Sequence, residues 1–176
     1  MYRVTEEALS ADAIARMVTV PEAGGVVVFL GVVRNETAGR RVVALEYEAH
    51  VPMAEAKLKE IGEAVYARWP GVRHVVVLHR IGRLLVGEAS VAIGVSAAHR
   101  QDAFEGCQYA IDTVKQIVPI WKRELFEDGS AWVGLQGESP PPGWKAGDAR
   151  CRPGTRLGGA APARRPVAPR RRARRS

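Results

Sequence analysis

The sequence predicts an α+β domain with a mixed or mainly antiparallel sheet, followed by a disordered basic tail. Two observations lead to this prediction. Amphipathic helix patterns alternate with pairs of apolar strand patterns over residues 1–140, and the composition changes abruptly over residues 141–176. The chain has 176 residues, 47% of them hydrophobic, which is enough for one globular domain with an appendage.

The first predicted elements are a short helix and two strands. Ser10 is a typical N-cap for a helix over residues 11–18. The nearly continuous apolar run VVVFLGVV, residues 26–33, predicts a buried strand. After a polar loop over residues 34–39, alternating apolar residues predict a second strand over residues 41–49.

Two long amphipathic helices are predicted further along the chain. The first covers residues 52–69, where apolar residues recur at steps of three and four and Pro70 ends the pattern. The second covers residues 100–118 and ends before Pro119. Its predicted apolar stripe consists of Phe104, Cys107, Ile111, Val114 and Val118.

The remaining predicted elements are extended segments. Two of them lie between the long helices and two follow the second long helix. Their ranges are 72–82, 89–97, 120–126 and 130–135, with a tight bend at 82–88. The resulting order interleaves three helices with pairs of strands, which is typical of an α+β layered domain.

The positive charge of the chain belongs to its C-terminal segment. Residues 141–176 carry a net charge of +10, whereas residues 1–140 carry −3. The segment is rich in Arg, Pro, Gly and Ala and has few large apolar residues, so we expect it to be disordered. It could bind nucleic acid non-specifically, or it could be a solvated extension without a specific partner.

Several classes of protein are excluded by what the sequence lacks. No apolar run reaches the roughly 20 residues of a membrane helix, and no secretory signal is recognisable, so we expect a cytoplasmic protein. Two cysteines cannot form a disulfide framework, and the histidine spacing does not match a metal site. Cys107 lies on a predicted apolar stripe, which favours core packing over a catalytic thiol.

Five cationic residues lie at predicted element ends, where functional sites are often built. They are Arg34, His99, Arg100, Lys115 and Lys122. Such a set suits a phosphate-bearing substrate, and a lysine in it could act as a general acid or base, or as an amine nucleophile. Each residue taken alone could equally be a solvated surface cation, and Lys122 could form only a local salt bridge with Glu124.

Four segments together resemble one known protein family. They are FLGVVRN at 29–35, HRIG at 79–82, SAAHRQDAFEG at 96–106 and KQIVPIWKRE at 115–124. In this order and spacing they resemble the family of large, catalytic subunits of molybdopterin synthase. The resemblance covers residues 1–140 and excludes the basic tail at 141–176.

The resemblance implies a fold, an activity and partners. The family has an α/β hammerhead fold with an added antiparallel subdomain. Its members form a homodimer that binds two small ubiquitin-like sulfur-carrier subunits, giving a heterotetramer. The carrier's C-terminal thiocarboxylate supplies sulfur to cyclic pyranopterin monophosphate, which becomes the dithiolene of molybdopterin. Because the partner supplies the sulfur, the resemblance implies no metal and no other cofactor.

The resemblance also implies roles for particular residues. Lys115 and Lys122 are the expected catalytic residues, without a decision as to which lysine does which step. His99 and Arg100 are expected to hold the phosphate. The full expected substrate site is Val32, Val33, Arg34, His99, Arg100, Lys115, Lys122, Arg123 and Glu124. Val32 replaces a hydroxyl residue of the family motif, so only its backbone is expected to contact substrate.

Two other functions remain as alternatives. A nucleic-acid-binding module would depend on the basic tail, because the rest of the chain is net acidic. A scaffold member of the same family would bind the carrier without catalysis. The presence of all five cationic residues argues against the scaffold.

Overall fold

The computed structural model describes residues 1–127 and 129–133. It confirms the α+β class and the two long helices, and it divides the strands between two sheets. The helices are α1 (Ala11–Val18), α2 (Val51–Arg68) and α3 (Arg100–Ile117). The strands are β1 (Tyr2–Thr5), β2 (Gly25–Val32), β3 (Glu36–Thr37), β4 (Arg40–Ala49), β5 (Val72–Arg80), β6 (Gly82–Leu85), β7 (Ala89–Ala97), β8 (Ile120–Phe126) and β9 (Gly129–Val133).

The first sheet has the strand order β1-β5-β7-β2. Strand β1 pairs in parallel with β5, while β5 and β2 each pair antiparallel with β7, so the sheet is mixed. All nine residues of β7 are buried, because β7 is a central strand with helices on both faces. Its sequence consists of apolar and small residues throughout, because both faces of the strand are buried.

Helices α2 and α3 cover one face of this sheet and form the main core. Their inward residues recur at steps of three and four, as the sequence predicts. Those of α2 are Ala54, Leu58, Ile61 and Val65, and those of α3 include Ala103, Cys107, Ala110, Ile111 and Val114. Helix α1 covers part of the other face through Ile14 and Val18. The predicted N-cap is confirmed, because the Ser10 hydroxyl oxygen accepts a hydrogen bond from the Ala13 N–H at 3.4 Å.

The second sheet is built on the long strand β4. Strand β8 pairs with one edge of β4 and also with β9. Strand β6 pairs with the other edge of β4, along residues 44–47, and β3 pairs with the first residues of β4. Val33, Val42, Leu45 and Leu84 form a separate buried cluster on this sheet. The second sheet therefore has a small core of its own beside the main one.

Four details of the sequence prediction are wrong. Strand β2 was expected to be buried, but it is an edge strand and its residues are half-buried or exposed. Phe104 was expected on the apolar stripe of α3, but it is 62% exposed. The segment 82–88 has the expected turn, at Val86 and Gly87, but it begins with the short strand β6, which was not predicted, and β1 was not predicted either. Short strands such as these carry too few residues for a period to be recognised.

Two sequence predictions lie wholly or partly outside the described residues. The tail at 141–176, with Cys151, is one of them, and the end of the extended segment 130–135 is the other. Disorder of the tail therefore stays a prediction. In the part of the chain that is described, no helix is long and apolar enough to span a membrane.

His79 joins the two sheets where β5 ends. Its ring contacts that of Tyr47 on β4 edge-on, with 5.2 Å between ring centroids. Its Nδ1 lies 2.9 Å from the Arg80 carbonyl oxygen, which can only accept, so Nδ1 carries the hydrogen. Burial lowers the pKa of His79 to about 4, although the backbone hydrogen bond works in the opposite direction. His79 is therefore neutral at pH 7.

This burial predicts a specific pH dependence of stability. The unfolded chain takes up a proton near the ordinary histidine pKa of 6.5, whereas the folded chain does so near 4. The contribution of neutral His79 is therefore full above pH 6.5 and is lost as the pH falls from 6.5 towards 4. The expected loss is about 3 kcal/mol of unfolding free energy.

Urea unfolding of His79→Phe across this pH range tests the prediction. The phenyl ring keeps an aromatic contact with Tyr47 but cannot be protonated, so the slope between pH 6.5 and 4 should become shallower than in the parent chain. His74→Phe, at an exposed position of the same strand, is the control for the substitution type. An unchanged slope in His79→Phe would contradict the assignment.

Candidate active site

Lys122 and Glu124 form a half-buried ion pair on β8. They leave the same face of the strand because side chains alternate along it, and the Lys122 Nζ lies 2.8 Å from a Glu124 carboxylate oxygen. The Glu124 side chain is 3% exposed and the Lys122 side chain 35%. A carboxylate this deeply buried needs a charged partner, so the pair fixes the position of the Lys122 amine. The sequence analysis left open a local salt bridge at this place, and the burial of Glu124 is a finding of the structure.

The β4–β8 register explains why Glu124 is buried. Glu124 lies opposite Leu45, which belongs to the cluster of Val33, Val42 and Leu84, and Lys122 lies opposite Tyr47. Glu124 therefore lies on the face of the sheet that carries the apolar cluster, and its side chain is far less exposed than that of Lys122. Tyr47 is a neighbour of Lys122 that the sequence analysis did not select, although its alternation with Leu45 placed it on the inward face.

Arg123 points to the opposite face of β8 from Lys122. It forms an ion pair with Glu46 on β4, directly across the strand pair. The structure therefore does not bring Arg123 together with Lys122 and Glu124. Its expected contact with substrate stays a prediction.

Lys115 lies in the last turn of α3 and is exposed. The helix ends at Ile117, and β8 begins at Ile120 after a short connection through the buried Pro119. Lys115 and Lys122 therefore flank one helix–strand junction. Within residues 1–127 and 129–133, no ion pair engages Lys115, in contrast to Lys122.

The last residue of β2 and the two residues after it differ in their accessibility. The Val33 side chain is 2% exposed and packs in the second-sheet cluster. Its N–H donates to the Glu88 carbonyl oxygen, and its own carbonyl accepts from the Gly87 N–H, both at 2.9 Å. Val33 is thus occupied by the fold, whereas Val32 and Arg34 on either side are exposed.

His99 and Arg100 begin α3 at the far end of the helix from Lys115. His99 is the N-cap residue but makes no side-chain capping bond, and Arg100 is the first helical residue. Both are exposed, and they line an open depression of about 550 Å³ with Gln101, Phe104 and Glu105. Unpaired N–H groups and the positive end of the helix dipole make such a place suitable for an anion.

The candidate residues form two groups at opposite ends of the domain. Lys115 follows Arg100 by fifteen residues of α-helix, which corresponds to about 22 Å along the helix axis. Helix α3 begins just after β7 ends and packs back along the sheet, so its last turn lies near the start of β7. Because β2 is antiparallel to β7, this is also the end of the sheet at which β2 ends and Arg34 follows, and Lys115 therefore lies there. One group is therefore Arg34, Lys115, Lys122 and Glu124, and the other is His99 and Arg100.

Cys107 is confirmed as a core residue. Its side chain packs between α3 and the first sheet and is 4% exposed. Burial raises the pKa of the Cys107 thiol to about 11, so the nucleophilic thiolate is not formed at neutral pH. Among the described residues, no group of three or more His, Cys, Asp or Glu side chains is placed to hold a metal ion.

Comparisons with known proteins agree on one family. The family model described as MoaE protein matches residues 4–117. The molybdopterin synthase catalytic subunit of Bacillus subtilis is 45% identical over 138 residues, which cover 78% of this chain and 87% of the relative. The human molybdopterin synthase catalytic subunit is 45% identical over 130 residues, covering 74% of this chain and 69% of the relative.

Solved structures agree with the sequence comparison. The crystal structure of molybdopterin synthase from Staphylococcus aureus superimposes with a TM-score of 0.72 at 43% identity, covering 76% of this chain and 96% of that one. The family model includes Arg34, His99, Arg100 and Lys115 and ends before Lys122 and Glu124. The chain therefore belongs to the MoaE family, the catalytic subunits of molybdopterin synthase.

Proposed function

We propose that the chain transfers sulfur from the C-terminal thiocarboxylate of a small ubiquitin-like carrier to cyclic pyranopterin monophosphate. The observation that carries this proposal is the pair of lysines at the α3–β8 junction. Lys122 is fixed by the buried Glu124, and Lys115 is exposed at the end of the helix that precedes β8. One lysine held in place and one lysine free to move suit a site that binds an anion and transfers a proton.

The sulfur is carried by the partner in this proposal. Cys107 is buried with a raised pKa, so it is unsuited to carry a persulfide or to attack a substrate. A thiocarboxylate arriving on the carrier needs an anion-binding groove and a group that attacks or protonates the pterin side chain during sulfur transfer. Lys115 and Lys122 are the proposed groups, and no further cofactor is needed.

The two groups of cations support a homodimer. Arg100 is about 22 Å along α3 from Lys115, which is too far for both side chains to hold the same phosphate. In a two-fold dimer, the His99 and Arg100 group of one copy can approach the Arg34 and Lys115 group of the other. We infer that each site takes residues from both copies, and that one carrier binds at each site to give a heterotetramer.

The first prediction from the proposed function concerns Lys115. Lys115→Ala should lower sulfur transfer at least about 100-fold, because a general acid or base contributes at least this much, while folding and carrier binding remain. A single-turnover assay with thiocarboxylated carrier and cyclic pyranopterin monophosphate measures the dithiolene as a fluorescent oxidised derivative. Lys59→Ala, an exposed lysine on α2, is the matched control.

The outcomes of this assay separate the alternatives. Product that requires the thiocarboxylate and is lost only in Lys115→Ala supports the proposed function. Full activity in Lys115→Ala would remove this lysine from the mechanism. If the parent chain binds the carrier but makes no product, the chain acts as a scaffold.

The second prediction concerns Cys107. Cys107→Ser should lower the unfolding free energy by about 1–3 kcal/mol, because the substitution buries a hydroxyl group in an apolar environment that has no hydrogen-bond partner built for it. Sulfur transfer by the folded fraction should be unchanged, since the sulfur comes from the carrier. If a Cys107→Ser protein that circular dichroism shows to be folded has lost single-turnover activity, this would refute the proposal that the carrier supplies the sulfur.

The third prediction tests whether the site is shared between copies. Arg100→Ala and Lys115→Ala homodimers should each be inactive, but a mixture refolded together should recover about a quarter of parent activity, because half of the dimers are mixed and each contains one intact site. Mixing two Lys115→Ala preparations is the control. No recovery, with mixed dimers verified by mass, would mean that each site lies within one copy.

A further inference from the structure

Arg80, in the HRIG motif at residues 79–82, is the last residue of β5 and is held at two points. Its Nε donates to the Glu6 carbonyl oxygen at 3.2 Å, and its Nη1 donates to a Glu88 carboxylate oxygen at 3.0 Å. The Arg80 side chain is only 15% exposed, so its charge depends on these partners more than on water. The motif contributes no residue to the proposed substrate site. Arg80 therefore has a place in the fold that the proposed site does not explain.

Glu88 uses its other carboxylate oxygen to close a tight turn. This oxygen accepts the Leu85 N–H at 2.6 Å, and the Glu88 N–H donates to the Leu85 carbonyl oxygen at 3.0 Å. The turn over residues 85–88 has Gly87 as its third residue, with a φ of 88° that is typical of a type II turn. The Leu85 N–H and the Arg80 guanidinium both lower the pKa of Glu88, so the carboxylate is ionised at neutral pH. The Arg80–Glu88 ion pair thus holds the 85–88 turn.

The 85–88 turn in its place holds the backbone of Val33. The Val33 N–H donates to the Glu88 carbonyl oxygen, and the Gly87 N–H donates to the Val33 carbonyl oxygen, both at 2.9 Å. The pairing of β2 with β7 shifts register at the last residue of β2, just before these two hydrogen bonds. A bulge of this kind bends the strand and redirects the side chains that follow. The position of the chain beyond β2 therefore depends on the turn.

Arg34 directly follows Val33 and is exposed. Among the described residues, no ion pair engages its side chain, so the backbone from which it extends determines where the guanidinium group lies. One residue further, the Asn35 carbonyl oxygen accepts the Val42 N–H at 2.9 Å. Arg34 is thus a single exposed residue between two residues whose backbone is held. The hold on its N-terminal side is the 85–88 turn.

We propose that Arg80 and Glu88 are positioning residues for Arg34: their ion pair holds the 85–88 turn, and the turn holds Val33 so that Arg34 extends towards the anion of the substrate. This proposal rests on the proposed function, which assigns Arg34 to the substrate site. Neither member of the ion pair needs to contact the substrate, since both act through the backbone hydrogen bonds of Val33. The HRIG motif then has a role in the reaction although it lies outside the site.

This positioning role differs from a purely structural role in what it changes. An ion pair that only stabilised the fold would alter the fraction of folded chains, and the folded chains would bind substrate as before. A positioning ion pair alters how well the folded chains bind the substrate anion through Arg34. It leaves the maximal rate unchanged, because the proposed chemistry is assigned to Lys115 and Lys122, which belong to α3 and β8.

Hydrogen exchange of the full chain, measured by NMR, tests the hold on Val33. Glu88→Gln keeps the size of the side chain and an oxygen that can accept the Leu85 N–H, but it removes the charge that pairs with Arg80. The Val33 and Gly87 amides should exchange about tenfold faster, since a hydrogen bond between charged groups is lost. Arg80→Gln removes the other charge of the pair and should have the same effect.

Glu60→Gln is the matched control, because it removes the same charge from an ion pair with Lys57, at 2.6 Å on the exposed side of α2. It should leave the Val33 amide unchanged. The amide of Val95, in the buried strand β7, reports global opening and should exchange at the parent rate in all variants. An unchanged Val33 rate in both ion-pair variants would overturn the proposal. An equal acceleration at Val95 would also overturn it, because it would indicate a loss of stability alone.

The substrate dependence of sulfur transfer tests the step from Val33 to Arg34. In Glu88→Gln, the concentration of cyclic pyranopterin monophosphate at the half-maximal single-turnover rate should rise about tenfold, while the maximal rate stays at the parent value. In an Arg34→Ala background the same substitution should add no further change, because the residue through which it acts is gone. Additive effects in the double variant, or a lowered maximal rate with an unchanged half-saturating concentration, would contradict the positioning role.

The two measurements separate this proposal from the proposed function. Hydrogen exchange does not require sulfur transfer, so the hold on Val33 is decided whether or not the parent chain makes the dithiolene. Faster exchange at Val33 in the ion-pair variants, with no sulfur transfer by the parent chain, would support the hold on the backbone and refute the proposed function. Sulfur transfer by the parent chain, with unchanged exchange at Val33 in both variants, would leave the function and refute the positioning role.

Discussion

Complete burial of β7 determines how the elements with candidate functional residues are arranged. A strand buried on both faces needs a neighbour on each edge and helices on each face, and β5, β2, α1, α2 and α3 provide them. Because α3 leaves the end of β7 through a short turn and packs back on the same sheet, its two ends lie at opposite ends of the domain. The separation of Arg100 from Lys115 therefore follows from the core and is independent of the surface residues themselves.

The second sheet adds a different kind of constraint. Glu124 is buried on the same face as the small cluster of Val33, Val42, Leu45 and Leu84, and Lys122 is the charge that compensates it. The two proposed catalytic lysines thus differ in their freedom. Lys122 is held by a buried partner, whereas Lys115 extends from the exposed side of a helix end. A pterin with a phosphate and a reactive side chain requires both anion binding and proton transfer. One lysine with a fixed amine and one lysine with an exposed amine can each serve one of these two roles.

The elements with a clear hydrophobic periodicity could be predicted from the sequence. The burial of residues that depends on the position of a strand in the sheet could not. The helices at 11–18, 52–69 and 100–118 and the strand at 89–97 agree with α1, α2, α3 and β7 because their apolar patterns are long. An apolar run such as that of β2 has the same composition at a sheet centre and at an edge, so its exposure could not be predicted. The same holds for Glu124, whose burial depends on a cluster from distant strands. The motifs identified the cations but not their division into two groups.

The ion pair of Lys122 with Glu124 has a consequence for how variants of this chain behave in a cell. Replacing Lys122 leaves a carboxylate buried without a partner, which lowers stability and raises the fraction of chains open to proteolysis. Replacing Lys115 removes an exposed amine and leaves the steady-state amount of protein nearly unchanged. A loss of molybdenum cofactor caused by a change at Lys122 would therefore combine reduced abundance with reduced chemistry, whereas a loss caused by a change at Lys115 would reflect chemistry alone.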